Sequence, residues 1–359
     1  MPESPPSTIL FASERAANQL VAGVPAAARA IATLSQHGAG SSSVTVAVPG
    51  GWKPSSYCLA EAERLSPAVE WQALDAAKVE IASVISGDAL QTQELPPKTH
   101  PGNTRGYQYE GACPKEAQQL GALCTMSRAI ISATGKAGDG IVSRYINRPI
   151  SQALTGLALK SPHARPGHAT ALAALLGLAM VAALVWGGTP GLVIGAVLFQ
   201  LASIIDGVDG EMARATQRSS ETGAMLDSLT DAATNLGFLA GVSFNVWQQG
   251  MTKAASAGAL GFIVLALGSV ILGLQARRAG GPFTFDALKH KMRAKPSRIK
   301  QALIYITMRD FYALAACLAI LAGAVVPILW IFATVACGWF LVVCFTAVSS
   351  LLARNPRSH

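Results

Sequence analysis

The stretch that decides the fold is Asp206-Gly207-Val208-Asp209-Gly210-Glu211-Met212-Ala213-Arg214, followed eight residues later by Gly223 and then by Asp227 and Asp231. It lies between long apolar blocks, so four aspartates stand at the ends of segments that otherwise read as membrane helices. Ionised groups are costly there and persist where they serve an ion, a ligand or each other. Asp206 and Asp209 are three apart and share one helical face, and Asp227 and Asp231, four apart, share one on the next helix. Two antiparallel helices can therefore bring four carboxylates into one small volume. Such like charges repel strongly unless cations lie among them. Hard oxygen donors without His or Cys point to magnesium, manganese or calcium rather than zinc. One or two such ions suit pyrophosphate chemistry, because they hold diphosphate oxygens and stabilise a leaving phosphate. Gly210 and Gly223 remove side chains where a nucleotide approaches the helix backbones, Ala213 keeps that face shallow, and Arg214 offers a planar fork of donors to phosphate.

Outward from the motif the chain is apolar. It is 51% hydrophobic and only 13% charged over 359 residues, with a mean hydropathy of +0.38, too apolar for an ordinary soluble protein. The excess is confined to the part after Ala169, which offers six blocks of the length a hydrocarbon core requires. They run over 169–186, 191–209, 223–247, 254–276, 311–332 and 333–352, the last two meeting at a tight turn near Val326 to Trp330. The reading is an all-α bundle of six membrane spans. Trp186, Trp247, Trp330 and Trp339 fall at or near span ends, where an aromatic belt accounts for them.

The connection between the fourth and fifth blocks carries Arg277, Arg278, Lys289, Lys291, Arg293, Lys295, Arg298, Lys300 and Arg309. That asymmetry places it, both termini and the motif on the cytoplasmic side of the membrane. The formal net charge of +8 is then explained by contact with anionic lipid rather than with nucleic acid. Cys58, Cys113, Cys124, Cys317, Cys337 and Cys344 form no CxxC pair and read as free thiols.

Residues 1–135 read as a soluble α/β domain: strands at 8–12, 43–48 and 79–85, a helix over 22–37, a polar linker at 91–105 and a helix over 114–133. With no signal-like apolar core ahead of it, this domain is expected to stay in the cytoplasm. Residues 136–168 contain an amphipathic run, Gly138 to Ser151 with Arg144 and Arg148 four apart, that predicts a helix lying in the interface before the first span. Residues 169–359 make up the membrane domain.

The spacing DxxDGxxAR, eight residues, GxxxDxxxD is met at every position, and on it residues 169–352 resemble the CDP-alcohol phosphotransferase family. The resemblance implies a transferase of substituted phosphate groups, taking a phosphoalcohol unit from a CDP-alcohol donor to a hydroxyl acceptor and releasing CMP. It implies Asp206, Asp209 and Asp227 as ligands of Mg2+ or Mn2+, two ions in all, and Asp231 as the general base that also touches a metal. It implies Gly210, Ala213, Arg214 and Gly223 as the CDP pocket, and a homodimer in membrane lipid. Within the family, Asp139-Gly140-Ile141-Val142-Ser143-Arg144-Tyr145-Ile146-Asn147-Arg148 looks most like the fused inositol-phosphate cytidylyltransferase and di-myo-inositol-phosphate-phosphate synthase proteins, though Pro166-Gly167 stands where many members have Pro-Asn. Residues 23–38 and the strand after them resemble sugar-phosphate nucleotidyltransferases, but Ser13 to Leu20 has no glycine where that family cradles a triphosphate. The front domain therefore reads as degenerate. A six-span cation transporter and an inert scaffold are the competing readings, and Arg214 beside the carboxylates argues against a cation path.

Overall fold

The computed structural model describes residues 7–36, 43–78, 84–91, 114–136, 138–278 and 308–353. The chain divides into two compact units, Met1–Thr134 with Leu154–Ala164 and Gly135–Ala153 with Arg165–His359.

The first unit is built on a parallel four-stranded sheet of β1 (Ser7–Leu10), β4 (Ser43–Val48), β5 (Glu70–Asp75) and β6 (Val84–Ser86) in the order β5-β4-β1-β6. β4 is buried along nearly its whole length, as expected of a Val-rich strand covered on both faces. Around the sheet lie α1 (Glu14–Asn18), α2 (Ala26–Gln36), α3 (Ser56–Leu65) and α4 (Glu116–Ser132). The helix expected from Ala22 starts later, because Ala22 and Gly23 take positive φ (46° and 81°). They form the turn of a two-stranded hairpin, β2 (Leu20–Val21) against β3 (Val24–Pro25). β5 and α3 were not legible beforehand. Of the strand expected at 79–85 the described part is β6, and of the linker at 91–105 only Gln91 is described. Gln91 is buried and donates to the Ala26 and Gly87 carbonyls.

The winding of this sheet reverses between β1 and β6, where α/β domains commonly open a ligand crevice at the carboxyl ends of the strands. Here the crevice is filled from within. Gln119 of α4, 2% exposed, accepts from the Ala12 amide (2.8 Å) and donates to Leu10 O, Ser86 Oγ and Asp88 Oδ1. Ser13 donates to Glu116 of α4 at 2.8 Å. The ring of Phe11 lies where a side chain at Gly87 would have to go.

The second unit carries α6 (Pro166–Trp186), α7 (Gly188–Ala215), α8 (Glu221–Gln248), α9 (Thr252–Arg278), α10 (Arg309–Leu321) and α11 (Val325–Ala353). Before them come a π-helical turn, Ser143–Asn147, and α5 (Arg148–Ala158). Four helices, α6, α7, α9 and α11, are long and apolar enough to cross a membrane. α8 has the length, about 42 Å at the helical rise, but its aspartates and amides dilute its apolarity. α10 has 13 residues, about 20 Å. The fifth block, read as 311–332, is thus two pieces: the turn falls at Ala322 to Ala324 on Gly323 (φ 74°), not at 326–330, because Pro327 is tolerated in the first turn of α11. Phe199 and Phe238 stack in the core with centroids 4.1 Å apart. Trp186 and Trp247 are exposed at helix ends, but Trp339 lies within α11 against Gly268 of α9, so it packs helices together and belongs to no belt. The basic connection, apart from Arg309, falls outside the residues whose side chains are described, as does Cys113; the five described cysteines are free.

Candidate active site

The carboxylates sit where α7 ends and α8 begins. After Ala215 the chain turns through Gln217 (φ 55°), and Ser220 caps α8 by accepting from the Gly223 amide at 3.0 Å. A Cβ at Gly223 would stand 3.0 Å from that cap oxygen, so the glycine lets the capping turn close tightly. A Cβ at Gly210 would meet the Arg214 guanidinium at 3.0 Å, so Arg214 folds back over Gly210.

Carboxylate oxygens of Asp206, Asp227 and Asp231 lie within 4.8 Å of one another, all three half-buried. Asp209 is not in that group. It is 6% exposed and accepts from Thr170 Oγ1 of α6 at 2.7 Å, because three residues along a helix leave a rotation of about 60° between side chains. Of the four carboxylates expected together, three form one group and the fourth, Asp209, is bonded to Thr170. Three hard oxygen donors with no nitrogen or sulfur fit a divalent cation of the magnesium or manganese kind.

Asp206 and Asp231 open onto a cavity of about 330 Å³, lined also by Lys136, Asp139, Ser143, Asn147, Arg148, Ser203, Arg309 and Asp310. Gly210, Ala213, Arg214 and Gly223 do not line it. Arg309 at the start of α10 donates through Nη1 to Asp206 (3.0 Å) and to Asp231. Its side chain is 10% exposed, and its Nε and Nη2 have no partner among the described residues. A guanidinium edge left so is costly to bury and matches an oxyanion.

Residues 138–151 were expected to form an amphipathic helix. Ile141, Tyr145 and Ile150 are exposed while Asn147 and Ser151 are buried, an apolar face outward and a polar face inward. Arg144 is exposed, but Arg148 turns into the site. Its Nε and Nη2 bind Asp139 at 2.7 and 3.1 Å, and its Nη1 binds Glu211 at 2.8 Å. Burial alone would lower the Arg148 pKa, yet the two carboxylates hold it above its ordinary value. Burial alone would likewise raise Asp139, and the Arg148 fork outweighs it and holds that carboxyl below the usual range. Asp310 accepts from the Ser143 amide at 2.7 Å.

Sequence reasoning missed Glu211, Asp310 and the role of Arg309. Glu211 was read as a spacer, although an acid in an apolar block implies a partner. Arg309 was counted with the basic loop, although it opens an apolar block.

Three bacterial and archaeal proteins named bifunctional IPC transferase and DIPP synthase are similar to this chain. The one from Thermococcus kodakarensis is 33% identical over 173 residues (48% of this chain and 37% of the relative). The one from Aquifex aeolicus is 32% identical over 191 residues (51% and 42%), and the one from Rubrobacter xylanophilus is 37% identical over 129 residues (36% and 28%). Each match thus spans well under half the length of the relative. The model of the CDP-alcohol phosphatidyltransferase family matches residues 165–340, which contain the whole carboxylate signature and five of the cavity's charged or polar walls. Residues 165–340 are a CDP-alcohol phosphatidyltransferase domain.

Proposed function

We propose that the protein transfers a phosphoalcohol unit from a CDP-alcohol to a hydroxyl acceptor and releases CMP. The observation that carries this is the convergence of Asp206, Asp227 and Asp231 at the wall of a polar cavity, at the signature spacing. Asp206, Asp209, Asp227 and Asp231 are the residues we assign to divalent cations, with Asp231 also serving as the base. A bound Mg2+ or Mn2+ would supply the positive charge that neutralises a diphosphate and a departing phosphate.

The donor and acceptor are read onto different faces of the cluster. Gly210, Ala213, Arg214 and Gly223 are assigned to the CDP moiety, and they do not line the cavity. The cavity is therefore assigned to the acceptor, where Lys136 and the edge of Arg309 that has no partner among the described residues suit an acceptor that carries a phosphate or similar anion. Asp231 takes the acceptor's hydroxyl proton as the oxygen bonds to the β-phosphorus, and the bond from that phosphorus to the bridging oxygen breaks with CMP as the leaving group. The likeness to bifunctional IPC transferase and DIPP synthase proteins favours inositol-phosphate chemistry among the candidate reactions. We read the site as facing the cytoplasm, with all of α6 to α11 embedded in lipid and the protein a homodimer, on the sequence asymmetry and the family likeness. The α/β unit is read as a nucleotidyltransferase-like domain that has lost nucleotide transfer.

A transporter reading is disfavoured by Arg309, since a guanidinium fixed between two carboxylates opposes cation passage. The deciding experiment is CMP release by the purified full chain with magnesium or manganese and a panel of CDP-alcohols and acceptors, including inositol phosphate. Release dependent on both substrates supports the reading; no release with any pair overturns it.

A further inference from the structure

The signature specifies neither Arg148 nor Glu211, yet they join the segment before α6 to the helix that carries it. Glu211 is fully buried, and one of its oxygens accepts from both Arg148 Nη1 (2.8 Å) and Ser151 Oγ (2.6 Å). The rest of the Arg148 fork is taken by Asp139, which also accepts from the Lys136 amide at 3.0 Å. Four residues before Glu211, on the same face of α7, Gly207 admits this contact: a Cβ there would meet Ser151 Oγ at 3.3 Å and Arg148 Nη1 at 3.5 Å. The face of α7 bearing Gly207 and Glu211 is thus held against α5. Asp206 occupies the neighbouring face, toward Asp227 and Asp231.

Rotation about its own axis is the freedom an apolar helix in lipid loses least readily to packing, because hydrocarbon neighbours on different faces are nearly equivalent. At a side-chain radius of about 5–6 Å a turn of roughly 20° moves a carboxylate by about 2 Å, and about 1 Å is enough to cost two orders of magnitude in a site of this kind. A buried, charge-assisted pair with one sharply preferred geometry removes that freedom.

We propose that Arg148 and Glu211 are positioning residues, a buried ion pair that fixes the rotational setting of α7 and so aims Asp206 at the cation shared with Asp227 and Asp231. The inference rests on the assignment of Asp206 as a metal ligand. Arg148 lines the cavity, but its Nε, Nη1 and Nη2 are engaged by Asp139 and Glu211, in contrast to Arg309, so it acts through α7 and does not bind substrate.

The test is Mn2+ binding by the full chain in detergent, without substrates, followed by electron paramagnetic resonance. The variants are Arg148→Gln, Glu211→Gln and the pair together, with size-exclusion profiles and melting temperatures recorded alongside. Each single variant is expected to weaken Mn2+ by about tenfold or more, as loss of a residue supporting a ligand does. The double variant is expected to be no weaker than the worse single one, because both changes break the same contact. Turnover of the single variants should recover in part at high Mn2+. Unchanged Mn2+ affinity in both singles, or losses that multiply in the double, overturns the positioning role while leaving the metal assignment intact. Absence of saturable Mn2+ binding in the unmodified chain overturns both. Should a glutamine variant fail to fold, Ser151→Ala removes the second donor to Glu211 and is expected to weaken Mn2+ by about threefold; no change in that variant overturns the proposal as well.

Discussion

At the carboxyl ends of β1 and β6 the α/β unit has the crevice in which domains of its kind hold a ligand, and Gln119 occupies it, its amide answering backbone and side-chain groups on three sides. At the junction of α7 and α8 the helical unit gathers Asp206, Asp227 and Asp231, and there Arg309 keeps Nε and Nη2 without a partner among the described residues. The first arrangement is complete without a ligand. The second is not, since three half-buried carboxylates against one guanidinium leave net charge and donors turned toward a cavity. Both units contain buried polar groups, so burial does not separate a functional site from a structural one. At these two places the separation comes from whether the described residues satisfy the groups gathered there.

Breaking the contrast at its strongest point gives the largest effect. Asp206→Ala, Asp209→Ala and Asp227→Ala are each expected to lower turnover by roughly 10³ or more while the protein remains folded and membrane-inserted, and excess chelator should do the same to the unmodified enzyme. Activity retained in two of the three would sink the ligand assignment. Asp209 is the sharper probe of the three, because the structure ties it to Thr170 on α6.

Asp231→Asn keeps size and hydrogen bonding but removes basicity, so the chemical step should fall by about 10² to 10⁴ with donor binding preserved. Calorimetry of donor binding beside turnover in that variant decides the matter: loss of both makes Asp231 chiefly a ligand, and unchanged turnover gives it neither role. Arg309→Gln comes next. It should raise the KM of an anionic acceptor by about tenfold to a hundredfold, and it should tighten Mn2+, because the guanidinium competes with a cation for Asp206 and Asp231. An unchanged acceptor KM would remove Arg309 from the acceptor site.

How far all this was legible beforehand follows the range of the interactions. The carboxylate spacing and the long apolar helices are local patterns, a fixed interval and a run of residues, and α6, α7, α8 and α9 came through as helices with ends shifted by a few residues. What failed was long-range or depended on one backbone angle. Arg148 meets Glu211 across 63 residues and Arg309 meets Asp231 across 78, separations at which nothing in the chain marks the pair. Asp209 stands apart from the other three carboxylates because helical spacing fixes a face only to within a broad arc, and Thr170 takes its edge. The turn at Gly323 was displaced because Pro327 looked like the break, while the glycine with positive φ was. In the α/β unit, β5 (Glu70–Asp75) alternates exposed and half-buried positions, too weakly apolar to be read as a strand without its parallel partner β4.

The smallest effect on turnover should come from the α/β unit, where Gln119→Ala tests whether the filled crevice is structural. The substitution strips the Ala12 amide of its acceptor and removes one donor each from the Leu10 carbonyl and Ser86, so that unit should lose about 1–3 kcal/mol of stability. Nothing in the transfer reaction requires Gln119, and turnover of a preformed CDP-alcohol at a temperature below the unit's transition should stay within about twofold. Emptying the crevice should not create nucleotide transfer either, because the loop after β1 (Ser13 to Leu20) still lacks the glycines that let backbone amides approach a triphosphate. The measurement is pyrophosphate release from CTP with an inositol or sugar phosphate, in the full unmodified chain and in the variant. Release in either one would show that the crevice holds a nucleotide after all and that Gln119 is a ligand-site residue, which would place both units on the same side of the comparison.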